Sequence, residues 1–498
     1  MPSRVSGLFL LSLLSAALVS LFSDSALAGT TGKLSGRILD DKKQPLPGVT
    51  LLVVGTHLGA LTDPDGRYSV VNVPAGTYQV KVQLLGYRPV TVTDVHVSPD
   101  KTTSLDLTMQ ESPVEMKEVV VSGKSPVVDV RQTGTIASIS KDEIAHLPVQ
   151  ELQDVVNLQA GVVDGHFRGG RSDEVQFQVD GVSVNNSYDN KSTLRIDRSL
   201  LEEVQVISGT FDAEYGQAMS GVVNAVLKRG SEKVHWDAET FGGGFFYPGD
   251  GEQRGLHYKL RPTGVQNYQI SASGPTGIPR TLFLGNFRRY VFDDYAYGLR
   301  LFRPTDKSDF ANGILLPTGD RETVPLGFSR EWSGVGKITN RSWNNIEIGY
   351  QAIFNVINAR RAGWEFRFNP DGLSRQKTYS IVHGLDWTHT LSKKAFYNLS
   401  LRQNYFNYDD RAYDDLWDAR YDSAGAPTGT DGFEHGAIIQ GVSFTRFHQN
   451  TNALVFKGSF VNQVTNDQQM KAGFEFQLPR LEFGSPGYLV YASGPNGL

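Results

Sequence analysis

Residues able to do chemistry are sparse in this chain, and their spacing argues against catalysis. Ten histidines are spread over 498 residues. None forms the His-x-x-Glu or His-Glu-x-x-His pair that sets zinc ligands on one helix face. Asp63-x-Asp65-Gly66 hints at a calcium loop. The third oxygen ligand before the glycine and the distal Glu are missing, so the spacing predicts a structural turn. Asp414, Asp415, Asp418 and Asp422 could contact a metal or a sugar, although an acidic stretch in a long loop is usually solvated. No nucleophile elbow or phosphate loop occurs. With no cysteine, disulfides, thiolate metal sites, a cysteine nucleophile and a lipidated N-terminal cysteine are excluded. Lys and Arg number 48 against 53 Asp and Glu, a net charge of −5 with no basic block. Nucleic-acid binding therefore has no electrostatic support. No metal, cofactor or catalytic residue is expected.

The elements that would carry other work are easier to place. Residues 1–28 read as a secretory signal: Arg4, an apolar run from Leu8 to Phe22, and the small-x-small site Ala26-Leu27-Ala28. No other stretch approaches the ~20 apolar residues of a membrane helix. Aromatic residues are uneven: ten of the 53 precede Ser231 and 43, including all six Trp, follow Gly230. That shift marks a boundary.

Residues 29–112 read as a small β-sandwich. Tyr78, Val80, Val82 and Leu84 alternate with polar residues, as do Leu105, Leu107 and Met109. Turns are marked at Pro45-Leu46-Pro47-Gly48, Asp63-Pro64-Asp65-Gly66, Pro74-Ala75-Gly76 and Gly86-Tyr87.

Residues 113–231 begin with a polar linker and the apolar run Glu118-Val119-Val120-Val121-Ser122. Such a run can add a strand to another sheet's edge, or be the first strand of the domain that follows. Ser140-Lys141-Asp142-Glu143 is a capping-box pattern. Pro148 suits the first turn of a second helix carrying Leu152, Val155, Val156 and Gln159, with Gly161 as its C-cap. Val175, Phe177 and Val179 lead to Asp180-Gly181, a two-residue hairpin turn, and then Val182. A further strand carries Val204 and Val206 and stops at Ser208-Gly209. Gly216, Ala218, Ser220 and Gly221 then allow a backbone to approach closely. Residues 185–195 read as a polar loop.

Residues 232–498 read as long strands, apolar on one face and polar on the other. Tyr350 alternates with Gln351, and Leu401 with Arg402. Connections alternate between short (340–344, 392–394, 465–467) and long (294–330, 357–376, 409–449). That pattern, with interfacial aromatics, describes a transmembrane β-barrel.

The ordered set Arg168-Gly169-Gly170, Gln178-Val179-Asp180-Gly181-Val182, Val204 through Gly209, Tyr215-Gly216 and Ser220-Gly221-Val222-Val223-Asn224 resembles the plug domain of TonB-dependent outer-membrane receptors. Gly36, Pro47-Gly48, Thr62 to Gly66, Pro74 to Tyr78 and Gly86-Tyr87 resemble the carboxypeptidase regulatory-like domain, a transthyretin-like fold. The fold class expected is thus mainly β: the sandwich, an α+β plug and an incomplete transmembrane antiparallel barrel. About nine or ten strands are counted, whereas enclosing a plug takes about 22. The chain is therefore expected to be the N-terminal part of a longer receptor.

The resemblance implies an outer-membrane transporter with its N-terminal domain in the periplasm. Glu118–Ser122 would be the TonB box, which pairs with a TonB-type energy-transducing protein. The cargo would be an external ligand such as a siderophore, glycan or peptide, with a surface lipoprotein as a further partner. The alternatives are a surface binding or adhesion protein without transport, in which Glu118–Ser122 has no role, and a secreted enzyme, which the missing motifs disfavour.

Overall fold

A computed structural model of the chain describes residues 30–112, 119–122, 135–209, 215–216, 218–245, 262–309, 312–429, 434–465 and 468–485. The signal segment with Ala26 and Ala28, Glu118, Ala213-Glu214, the Asn466-Asp467 turn and Gly497-Leu498 lie outside the described residues.

The N-terminal module has strands β1 (Thr31–Asp40), β2 (Thr50–Val53), β3 (Gly59–Leu61), β4 (Arg67–Pro74), β5 (Gly76–Gln83), β6 (Val90–Val97), β7 (Thr102–Ser104), β8 (Leu107–Met109) and β9 (Val119–Ser122). One sheet runs β3-β2-β5-β6-β9; the other runs β4-β1-β7, with β8 also paired to β1. The inward residues Leu34, Ile38, Leu51, Val80, Val82, Val92 and Met109 close the core between them. At the Asp63 turn, the carboxylate accepts from the amides of Asp65 (3.0 Å) and Arg67 (2.8 Å), and Gly66 has φ +71°. Asp63 closes its own turn.

The second unit has β10 (Thr135–Ser140), β11 (Val162–Val163), β12 (His166–Phe167), β13 (Val175–Val179), β14 (Val182–Ser183), β15 (Leu201–Ser208) and β16 (Gly221–Leu227). Its main sheet is ordered β10-β15-β16-β13-β14, with β13 and β16 parallel. Asp180 and Gly181 have φ of +49° and +77°, so the hairpin turn is the mirror-image type that the Asp-Gly pair predicts. The Ser140 capping box forms: the Ser140 amide donates to Glu143 Oε2 (2.8 Å) and the Glu143 amide to Ser140 Oγ (3.4 Å). The second helix differs from expectation. It spans only Leu152–Asn157, so Pro148 precedes it and Gly161 (φ +81°) turns the chain beyond it. Glu151 starts this helix, because its amide is held by the Asp154 carboxylate (3.1 Å).

The third unit is one nine-stranded antiparallel sheet. Its strands are β17 (His235–Gly243), β18 (Val265–Pro275), β19 (Thr281–Asp293), β22 (Phe328–Asn340), β23 (Ile346–Arg360), β24 (Arg375–Thr390), β25 (Ala395–Arg411), β28 (Arg446–Gln463) and β29 (Gln469–Gly484). Short strands in the long connections, β20 (Tyr297–Leu299) with β21 (Thr323–Pro325) and β26 (Thr428–Gly429) with β27 (Ile438–Gln440), form two satellite ribbons. Among the described residues β17 and β29 do not pair, and the sheet is an unclosed wall. Its faces are inverted relative to a water-soluble sheet. Tyr268, Phe287, Leu385, Leu401, Phe456 and Leu478 are exposed, while Gln269, Arg288, Lys337, Gln351, Arg402 and Lys457 are buried on the concave side. Apolar-out and polar-in is the pattern of a wall that faces lipid.

Candidate functional site

The plug-like unit packs against the polar face of the wall, and the contact between them combines hydrogen bonds and charges with an apolar patch, where Val335, Ile353 and Val382 of the wall join the plug's core. Arg195 Nη1 lies 2.6 Å from Glu331 Oε1, and its backbone is held on both sides by Asn355 (3.1 and 2.9 Å). Arg288 of the wall reaches Asp197 (3.3 Å) and Glu151 (3.5 Å). Asn186 accepts from Gln449 (3.0 Å) and Thr451 (3.1 Å), and Asn404 donates to the Ser183 carbonyl (3.0 Å). Arg229 pairs with Glu347 (2.8 Å). This burial explains why β13 is enclosed on both faces, including Gln176 and Gln178.

The polar stretch 185–195 is correspondingly not a solvated loop throughout. Asn185 bonds the amide of Phe177 (2.7 Å) and the carbonyls of Val175 and Asn190, and Asn186 is buried on the wall. Tyr188 remains exposed beside the rings of Phe447 (5.7 Å between centroids) and Phe483 (4.7 Å).

The glycine-rich motifs, far apart in sequence, converge. Arg168 and Gly169 both have positive φ, and a Cβ at Gly209 would lie 3.3 Å from Arg168 Nη1. A Cβ at Gly170 would lie 2.5 Å from that of Ser220, and one at Gly221 would lie 2.3 Å from the Phe167 ring. Close packing requires Gly170 and Gly221, and positive φ favours glycine at 169 and 209. Gly216 is not: nothing lies near its missing Cβ. Tyr215 is buried with Ile207 and Val222. Asn224 sits elsewhere, buried under the hairpin, where it accepts from the Gly181 amide (3.3 Å).

Beneath the plug unit, the sandwich docks through its β6–β7 side. Gln205 Nε2 donates to the Pro99 carbonyl (2.9 Å), and His96 Nε2 lies 3.3 Å from Glu203 Oε2. Lys471 of the wall pairs with Asp100 (2.8 Å), and Val71 packs with Phe396 and Val461. Sequence reasoning missed these docking residues, because nothing local marks Glu203 as different from other strand carboxylates.

Val119–Ser122 forms a strand, but not in the plug sheet. It runs parallel to β6 in the sandwich, from Val90↔Val119 to Thr93↔Ser122, and Ser122 Oγ donates to Asp94 (3.2 Å). Val120 and Val121 are exposed. The acidic stretch is occupied locally: Asp414 pairs with Lys377 (2.5 Å), Asp418 with Arg420 (2.6 Å), and Asp415 accepts from the Trp417 amide (2.9 Å).

Two family models match this arrangement. Residues 34–121 match the CarboxypepD_reg-like domain, and residues 129–223 match the TonB-dependent receptor plug domain. The chain belongs to the TonB-dependent receptors. The receptor is 22% identical over 231 residues to the TonB-dependent transporter Oar of Myxococcus xanthus, covering 42% of this chain and 22% of that protein. It is 32% identical over 133 residues to the vitamin B12 transporter BtuB of Vibrio vulnificus, covering 24% of this chain and 22% of that protein. These matches thus span little more than a fifth of the relatives' own length. The solved outer membrane transporter YddB of Escherichia coli superposes with a TM-score of 0.48 at 14% identity, over 70% of this chain and 48% of its own. That likeness is too distant to carry a functional inference.

Proposed function

We propose that this receptor is an outer-membrane importer. An external nutrient, of the siderophore, glycan or peptide kind, binds on the outer side, and a TonB-type partner drives plug remodelling from the periplasm. One observation carries this reading: the plug is seated on the wall's polar face by ion pairs and hydrogen bonds. Such polar contacts orient the body beside one apolar patch, at Val335, Ile353 and Val382, and they can be re-made in a second arrangement.

Val119–Ser122, with Glu118 before it, is the segment we assign to the partner. Among the described residues this strand is the last of its sheet, and no described strand pairs with its outer edge. An edge of this kind accepts an incoming strand by backbone pairing. Because the chain has no cysteine, Val120→Cys gives a single thiol. It should form a disulfide with a thiol placed on the periplasmic domain of the TonB-type protein, and Val120→Pro should abolish import while leaving ligand binding at the surface intact. Import unchanged by Val120→Pro, with no cross-link, would overturn the assignment.

A further inference from the structure

The Asp180-Gly181 turn, already prominent as a hairpin signal, is where the wall grips the plug most closely. Three wall strands contact these two residues, and a fourth supports one of the contacts. From β22, Lys337 Nζ donates to Asp180 Oδ2 (2.8 Å), with both side chains nearly buried. From β23, Gln351, in the amide orientation that satisfies both neighbours, donates to Asp180 Oδ2 (2.7 Å) and accepts from Arg402 Nη2 (3.0 Å). From β25, Arg402 carries that contact on to Asp386 (2.6 Å). From β28, Lys457 Nζ donates to the Gly181 carbonyl and lies 3.8 Å from Glu475. Three cations and two further carboxylates thus surround the turn and its own Asp180.

The two oxygens of Asp180 divide the work. Oδ1 accepts from the Leu227 amide inside the plug (3.0 Å), and Oδ2 accepts from the wall. The Gly181 amide is likewise tied inside the plug, to Asn224 (3.3 Å). Of the turn's own bonds, moving the plug as a body would keep those of Oδ1 and Asn224 and break those to Lys337, Gln351 and Lys457. A cavity of about 70 Å³ borders the turn, lined by polar and apolar groups alike, with Thr339, Asp386 and Ser400 among the polar ones. After release Arg402 and Lys457 would retain Asp386 and Glu475, so the wall would not be left with three stranded cations. A buried charge that loses its partner outright is strongly destabilising.

We propose that the Asp180-Gly181 turn is a latch: the bonds from Lys337, Gln351 and Lys457 hold the plug closed, and their release is the step that opens the pore. This rests on the transporter reading above and adds the positioning residues through which the plug is held.

The test uses the intact receptor in planar bilayers, with conductance recorded as urea is raised on the periplasmic side. Wild type should remain closed and then open at a reproducible urea concentration. Lys337→Met and Lys457→Met should each open at lower urea, and Lys337→Arg should lie near wild type. The exchanged pair Asp180→Lys with Lys337→Asp should recover part of the shift that either single change causes. Arg168 and Arg280 show that a long cationic residue tolerates positive φ in this chain. Retained heat-modifiable mobility of each variant keeps loss of the barrel separate from loss of the latch. Openings that coincide with wild type in every variant would overturn the latch alone. A wild-type protein that never conducts would overturn the importer reading, and the latch with it.

Discussion

His96 Nε2 of the sandwich lies 3.3 Å from Glu203 Oε2 of the plug, and the Glu203 side chain has no solvent exposure. The hydrogen bond to Glu203 favours the imidazolium, burial opposes it, and Glu203, Glu202 and Glu143 add attraction. The net effect raises the His96 pKa above its ordinary value. Lys141, paired with Glu202 at 2.9 Å, is the nearby cation, and Thr77 is the other polar neighbour of the ring. A raised value in the docked state means that protonation stabilises docking. That contribution is fully present below about pH 6.5 and is lost as pH rises through the raised value. Hydrogen exchange at β15 and β6 should show firmer docking at pH 5.5 than at pH 8.5. His96→Gln should remove the difference; a pH response that persists in this variant would assign it elsewhere.

Gly221 is fixed by the ring of Phe167. Gly221→Ala sets a methyl group where the ring already lies, and overpacking of that kind costs about 1–3 kcal/mol. Phe167→Ala leaves a cavity instead, at about 3–5 kcal/mol. The pair Gly221→Ala with Phe167→Leu should be less destabilised than the sum of its single changes, because the added methyl then has room. Denaturant-dependent proteolysis of the plug measures wild type, the three single variants and the pair, and strict additivity would show that the two residues do not share a packing site.

The two faces of one wall strand should respond oppositely to charge. Leu385 and Leu401 stand opposite each other on β24 and β25 and are exposed, whereas the adjacent Arg402 is buried. Leu385→Arg should be destabilising, by up to about 2–4 kcal/mol and less toward an interface, and Leu385→Phe almost neutral. The heat-modifiable fraction after refolding into lipid reports the difference. Equal yields for the two variants would place this face away from lipid.

Thr62 is a test of the sandwich. Its hydroxyl accepts from the Val49 amide (2.9 Å) and donates to the Leu46 carbonyl (2.6 Å) in the interior. Thr62→Val keeps the shape but strands both groups, at about 1–3 kcal/mol each way. Exchange of the Val49 amide should accelerate; unchanged protection would mean another group satisfies it.

Features set by neighbours in sequence were legible before the structure. The Asp180-Gly181 turn, the Ser140–Glu143 box and the alternation of Tyr350 with Gln351 each depend on local geometry, and each is found. Features set by distant partners were not. The second helix starts at Leu152 because Asp154 caps Glu151, a bond that the proline signal at 148 does not encode. Gln176 and Gln178 alternate with Val175, Phe177 and Val179 in sequence, yet both are buried like their apolar neighbours. Val119–Ser122 carries no mark of β6, its actual neighbour, since any apolar run of that length can fill a parallel edge. Lys337 and Lys457, which meet the hairpin turn, lie more than a hundred residues beyond it.

The most direct measurement is the location and mobility of the native protein. Cell fractions are separated, and the outer-membrane fraction is run on a denaturing gel with and without heating. The expected result is a band confined to the outer membrane that migrates faster unheated, as a folded β-barrel does. A periplasmic or secreted product whose mobility is indifferent to heating would contradict an outer-membrane importer.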